Sequence, residues 1–344
     1  MTRELNNIGQ EVLRDRAAGC MIGLAIGDAF GDAARDSDNQ FLYGITMDFP
    51  EKPTGSTDDT EFALLTAEIL IRSNGEPTRE DVVEAWRKHV LVQDTLNRGG
   101  ASERDAAANI RRGILPPESG MYHFHYMSDG AAMRVTPAGI VAAGDPDRAA
   151  VLAERDAEIS HWRDGIWGAQ AVAAAVAVAM TGGTVDEIVA EARSRAPNGS
   201  WFHNAFERAF RLIEQSDGLL EKSWMPLHKA LRCEYKAAVA EAVTAAFAIF
   251  KLTNGDFRQG IIYAGNYGRD SDTIGAIVGA LAGAHKGLKA IPIDWVEKVR
   301  HPDGTCLQFT QDLDIIQIAH DLTGQTTGKT KTQNAVIRII YRDK

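Results

Sequence analysis

Residues 270–287, DSDTIGAIVGALAGAHKG, set glycine at positions 275, 279, 283 and 287. Residues four apart share one face of an α-helix, so this face carries no side chains. Glycine inside a helix costs about 1 kcal/mol against alanine. Four on one stripe therefore imply something packed close against them, most simply another helix. Residues 19–31, GCMIGLAIGDAFG, repeat the device at Gly19, Gly23, Gly27 and Gly31. They run helix-like and follow no strand, so a phosphate-cradling glycine loop describes them poorly. Asp28 is an acid embedded among small apolar residues and requires a partner.

Helical patterns extend outward from these two stretches. Ala-rich segments predict helices over Glu61–Ser73, Arg79–Val92, Asp164–Met180, Val185–Arg195, Lys236–Thr253 and Thr273–Lys286. Thr78 ahead of Glu80 and Asp81, and Thr184 ahead of Asp186 and Glu187, supply capping hydroxyls and first-turn carboxylates. Breaks fall at Pro50–Gly55, Gly113–Gly120, Pro197–Gly199 and Gly324–Asn334. Period-2 alternation is rare, and the best strand candidate is Ala335–Tyr341. The expectation is one all-α, multi-helix domain over residues 10–322. Residues 323–344 would follow as a polar linker and a short C-terminal strand.

Composition narrows the partners. The chain has 344 residues, 44% hydrophobic and 24% charged, which is ordinary for a globular protein and argues against general disorder. Its 37 Lys and Arg against 47 Asp and Glu give a net charge of −10, the wrong sign for a phosphate-backbone partner. Nucleic acid is not an expected partner. The first residues, MTRELNNIGQEVLRDR, carry no apolar signal core. The longest oily run, Ile166–Met180, falls short of the roughly 20 residues that span a bilayer, and a buried helix explains it better. Cys20, Cys233 and Cys306 form neither a disulfide framework nor a CxxC site. A cytoplasmic location and no membrane partner are expected; oligomeric state is not specified.

Two acidic clusters carry the chemistry. Ser56-Thr57-Asp58-Asp59-Thr60 stands before EFALLTAEIL, and Asp270-Ser271-Asp272-Thr273 stands before IGAIVGALAGA. Acids at a helix start are common for local reasons alone, because unpaired N–H groups attract them. The duplication says more. If both helix starts meet, four carboxylates converge, and cations must sit between them or their pKa values must move. Oxygen ligands without His or Cys suit Mg²⁺, Mn²⁺ or Ca²⁺ rather than zinc. Two such ions would orient a water and a sugar hydroxyl together.

Gly27-Asp28-Ala29-Phe30-Gly31, Thr57-Asp58-Asp59-Thr60 and Gly268-Arg269-Asp270-Ser271-Asp272-Thr273, with its glycine-spaced helix, resemble the ADP-ribosylglycohydrolase family. The likeness continues at Gly130-Ala131-Ala132-Met133-Arg134-Val135-Thr136-Pro137 and at Ser160-His161. The resemblance implies an all-helical fold around a central cleft holding two Mg²⁺ or Mn²⁺ ions. Thr57, Asp58, Asp59, Asp270, Asp272 and Thr273 would be their ligands. Gly130, Met133 and Arg134 would line the substrate side, with Arg134 bracing the acidic centre in preference to binding phosphate. His161 would face the ribose, or be a satisfied structural histidine. Members cleave the glycosidic bond at the anomeric carbon of a ribose.

Two departures qualify the carry-over. Where many members place a glutamate four residues after GDALG, this chain has Arg35, with Asp32 and Asp36 nearby. Proton transfer then falls to Asp59 or Asp272 in the clusters, or to Asp36 or Asp32. Arg269 replaces a common glycine, and both arginines are candidate contacts to an anionic substrate group. The leading expectation is a dinuclear-metal glycoside hydrolase acting on an ADP-ribosylated or ribosylated substrate, which a modified protein could carry. The alternatives are a metabolic nucleosidase or sugar-conjugate hydrolase, and a catalytically silent ADP-ribose-binding or structural member. His123 and His125 lack an evident third ligand. Trp162, Trp167, Tyr263 and Tyr267 are either core or stacking residues.

Overall fold

The two glycine stripes face each other. Gly19, Gly23, Gly27 and Gly31 lie against Gly283, Gly279, Gly275 and Ser271 respectively, so the two helices run antiparallel with their backbones in contact. A Cβ built on Gly27 would collide with the Gly275 carbonyl, and one on Gly275 with that of Gly27. Neither stripe admits even alanine without separating the helices. The computed structural model describes residues 8–38, 40, 44–49 and 55–325.

In chain order the helices are α1 (Gln10–Arg35), α2 (Asp58–Arg72), α3 (Arg79–His89), α4 (Ala101–Arg111), α5 (Glu118–Met121), α6 (Thr136–Val141), α7 (Pro146–Ala157) and α8 (Asp164–Ala179). They continue as α9 (Val185–Ser194), α10 (Trp201–Gln215), α11 (Leu220–Leu231), α12 (Val239–Leu252), α13 (Phe257–Asn266), α14 (Ser271–Lys286), α15 (Ile293–Val299) and α16 (Ile315–Thr323). The fold is all-α, with no strand among the described residues. The strand expected at 335–341 lies outside them, as does nearly all of the expected linker. The expected boundary at 322 falls one residue before the end of α16, whose Ile315, Ile318, Ala319 and Leu322 join the main core.

The α1–α14 pair is the centre of that core, and the Ala-rich α8 and α12 pack around it with most of their residues buried. A smaller apolar cluster, including Phe62, Trp86, Ile110 and Met133, lies under α2 to α4. Both predicted capping hydroxyls are in place, and each forms a reciprocal capping box, Thr78 with Asp81 and Thr184 with Glu187. By length and composition α1 could cross a membrane, but its apolar surface is buried inside the protein itself.

One helix starts later than its Ala-rich pattern. Lys236–Thr253 reads as helix, yet α12 begins at Val239. The preceding residues form an antiparallel bridge, Ser128 opposite Ala238, in which the Asp129 N–H donates to Ala237 O at 2.8 Å and Val239 N–H to Met127 O at 3.1 Å. Backbone pairing at this point replaces the first helical turn and anchors the loop that carries Asp129.

Candidate active site: an acidic cleft

The antiparallel α1–α14 contact sets the site. Because the two helices touch from Gly19–Gly283 to Gly31–Ser271, the N-terminus of α14 meets the last turns of α1. Ser271 Oγ seals the junction by donating to Gly31 O at 2.9 Å. Asp28, one turn earlier on α1, reaches across to α2. It accepts from the Thr57 N–H and hydroxyl at 2.9 and 2.6 Å, and from the Thr60 N–H and hydroxyl at 3.2 and 2.5 Å. Those are the partners Asp28 required, and they fix the first turn of α2 in place. Thr57 is the N-cap of that turn, and Asp58 and Asp59 lie within it.

The two acidic clusters thus open onto one cleft of about 290 Å³. Asp58, Asp59, Asp270, Asp272 and Thr273 line it together with Gly130, Met133 and Arg35. Thr57 sits behind the wall, its hydroxyl turned to Asp28. Two further acids line the cleft that lie in neither cluster, Glu103 from α4 and Asp129 from the bridged loop. Each is a single residue with no local pattern around it, and only the tertiary fold brings it here.

These carboxylates are electrostatically strained. Burial, then the charges of Glu103, Asp272 and Asp28, raises the Asp58 pKa well above the ordinary carboxylate range. Burial and the neighbouring aspartates do the same to Asp59, and burial with Asp270 and Asp272 does so to Asp129. Asp272 is pushed up to about 7 by burial and Asp270, against the opposing charge of Arg35. Asp59 Oδ1 and Asp129 Oδ2 are buried with no hydrogen-bond partner among the described residues. A buried carboxylate oxygen left bare costs free energy that a hard cation would recover, so this donor set fits Mg²⁺ or Mn²⁺.

Other residues singled out in the sequence lie off the cleft wall. Arg134 is 1% exposed and uses all five N–H donors inside the protein. They go to Asp156 Oδ1 at 2.6 Å, Glu103 at 3.0 Å, Ser160 Oγ at 2.9 Å, and the Gly130 and Asp156 carbonyls at 3.2 Å. It is the brace of the acidic centre, with no donor left for phosphate. His161 is fully buried, its ring nitrogens each 2.8 Å from a hydroxyl, Ser128 and Ser160. Burial, Arg134 and His123 hold its pKa well below the usual value. The satisfied structural histidine is therefore the reading the geometry matches; His161 reaches the cleft only through Ser128. Arg269 adopts a left-handed backbone (φ 62°), which turns its guanidinium away to Glu241 at 2.6 Å and to the Cys233 carbonyl. Asp36 caps the C-terminus of α1, exposed and outside the cleft lining. Its expected proton-transfer role has no geometric basis.

Arg35 does enter the cleft, where its guanidinium meets Asp270 at 3.2 Å and Asp272 at 2.5 Å. Lys236, at the bridged start of α12, pairs with Asp270. Outside the cleft, Asp105 supplies the third ligand-type group that His123 and His125 lacked, lying 3.5 and 2.7 Å from their Nδ1 atoms. Tyr263 and Tyr267 pack edge-on against Trp224 and do not line the cleft.

The chain resembles known proteins along most of its length. The model of the ADP-ribosylglycohydrolase family matches residues 9–331. An uncharacterized protein of Archaeoglobus fulgidus is 30% identical over 84% of this chain and 92% of its own. Two relatives at 26% identity are the ADP-ribosylarginine hydrolase Tri1 of Pseudomonas putida, aligned over 83% of this chain and 74% of that protein, and the ADP-ribosyl-[dinitrogen reductase] glycohydrolase of Rhodospirillum rubrum, over 83% and 91%. A solved structure described as an ADP-ribosylglycohydrolase-related protein complex superposes with a TM-score of 0.63 at 25% identity, covering 92% of this chain and all of that one. With its cleft built from the paired aspartate motifs, the chain belongs to the ADP-ribosylglycohydrolase family.

Proposed function

We propose that the protein is a divalent-metal-dependent glycoside hydrolase that releases ADP-ribose, or a simpler ribose derivative, from a ribosylated substrate. Family membership supports glycohydrolase activity on ADP-ribosylated compounds. One observation carries the metal requirement. Asp58, Asp59 and Asp129 face one small cleft, and two of their oxygens are buried without a partner. Asp58 and Asp59, with Asp129 also lining the cleft, would hold the cation; Asp270 and Asp272, expected ligands from the sequence, are paired with Arg35 and Lys236, and the Thr57 hydroxyl is given to Asp28. When bound, the cation supplies positive charge that orients ribose hydroxyls and lowers the proton affinity of water.

In the reaction, the bond from the anomeric carbon to the leaving nitrogen or oxygen breaks, and its electron pair departs with the leaving group, which takes a proton. Water adds to the carbon and gives up a proton. The carbon becomes oxocarbenium-like between these events, and the carboxylates around the cleft stabilise that positive charge. Asp59 lines the cleft and is assigned the proton from water; Asp272, the other expected acceptor, has both oxygens held by Arg35. Asp28 and Arg134 contribute by position, the first fixing the α2 turn and the second fixing Glu103 and the Gly130 loop.

The test is release of ADP-ribose from an ADP-ribosyl-arginine peptide in Mg²⁺ or Mn²⁺, with EDTA as control. Turnover is expected to need the metal, and Asp58→Ala is expected to lower it about a thousandfold with helicity unchanged. Release that survives both EDTA and Asp58→Ala would refute the reading. Arg35 in the wall favours a second reading, a smaller ribosylated metabolite. Faster turnover of free ribosides than of the peptide would select it.

A further inference from the structure

The acidic cleft is divided by charge. On the α14 side, Arg35 Nη1 donates to Asp270 Oδ1 and Asp272 Oδ1, while Nη2 pairs with Asp272 Oδ2, so both Asp272 oxygens are engaged by one guanidinium. Lys236 Nζ sits on Asp270. Asp32, the remaining acid on Arg35, is matched by Arg98 at 2.6 Å. Two cations thus face two carboxylates, and this half is close to neutral. On the α2 side, no basic side chain among the described residues comes within ion-pairing distance of Asp58, Asp59 or Asp129. Asp59 is 1% and Asp129 3% exposed; both line the cleft, and each has one buried oxygen without a hydrogen-bond partner.

Resting on the metal reading above, we propose that the chain binds one divalent cation, on the Asp58–Asp59 side, and that Arg35 with Lys236 takes the place of a second. A guanidinium cannot lose its proton in a protein, so its charge is permanent. Its fork matches a carboxylate bidentately, and those lone pairs are the ones a second ion would need. Arg35 lies one turn beyond Gly31, where the α1 backbone touches Ser271 on α14, and it points over the start of that helix. Its pairing with Asp270 and Asp272 is what places the guanidinium in the cleft.

The experiment counts metal. The purified protein is titrated with Mn²⁺ by calorimetry, and bound ion is measured after equilibrium dialysis; paramagnetic resonance distinguishes isolated from exchange-coupled Mn²⁺. One ion per chain with an uncoupled signal is expected. Arg35→Glu is expected to raise the count to two and produce a coupled signal. Arg35→Gln, neutral and similar in size, serves if the glutamate variant does not fold by circular dichroism. Two ions in the unaltered protein would overturn the inference and leave the metal-dependent hydrolase standing. No bound ion would take down both. One ion in both the unaltered protein and a folded Arg35 variant would show that Arg35 excludes nothing, and would also overturn it.

Discussion

Two groups of buried acids lie side by side and are treated in opposite ways. Glu103 and Asp156 share Arg134, whose five donors are all engaged and whose ring neighbours, Phe62 and Trp86, cover it. Asp58, Asp59 and Asp129 are as deeply buried and have no such partner. The first group has its charge compensated within the fold, and removing one member leaves an uncompensated ion in the core. The second has no compensating cation within ion-pairing distance among the described residues, and its members' pKa values are raised instead. Glu103 belongs to both, facing the cleft with one side and Arg134 with the other. The contrast separates scaffold from site more sharply than residue type does, because both groups are aspartates and glutamates at helix ends and loops.

The largest test of the contrast is Arg134→Met, which should cost about 3–5 kcal/mol in urea unfolding, since it strands two buried carboxylates. A loss below about 1 kcal/mol would mean that Glu103 and Asp156 reach solvent, and the distinction would collapse. Asp59→Asn should act in the opposite direction. In metal-stripped protein it removes a crowded, desolvated charge, so scanning calorimetry at pH 8 in EDTA should find it more stable by about 1–2 kcal/mol, as is common where function is held at the expense of stability. Turnover should fall at the same time. Destabilisation of the metal-free protein by this variant would place Asp59 among the scaffold acids.

What the sequence made legible was contiguous. The TDDT and DSDT clusters each hold their chemistry within a few residues of a helix start, and the glycine repeats announce a close backbone contact. That the two stripes pack on each other, and so bring the clusters together, follows from geometry that local spacing does not encode. Glu103 and Asp129 were invisible for that reason. Asp129 is delivered by a two-residue bridge to Ala237 and Val239, inside a segment that reads as helix. Arg269 misled in the other direction. Adjacent to Asp270 in the chain, it looks like part of the site, but its positive φ sends the side chain to Glu241. Sequence neighbours at a tight turn need not face the same way. Arg35 stands out in the sequence by a reversal of charge, but its partners, Asp270 and Asp272, are set by the fold.

The smallest expected effect concerns His161, which lies on the seam between the two groups. One ring nitrogen meets Ser160, which accepts from Arg134, and the other meets Ser128 on the cleft wall. Arg134 and His123 are the charged and titratable groups acting on it, and both oppose its protonation, as does burial. Below about pH 6.5 the unfolded chain therefore takes up a proton that the folded chain refuses. With more protons bound in the unfolded state, stability must fall as pH falls, at up to about 1.4 kcal/mol per unit for one such group. His123, His228, His285 and His320 are also held below the usual value, so the unaltered protein alone does not isolate this residue. The difference between it and His161→Gln does, because the other histidines are common to both. Urea unfolding at pH 7 and pH 5 should show the variant losing less stability by roughly the equivalent of one proton. Equal losses would mean that His161 titrates normally, and that the seam between scaffold and site is wet.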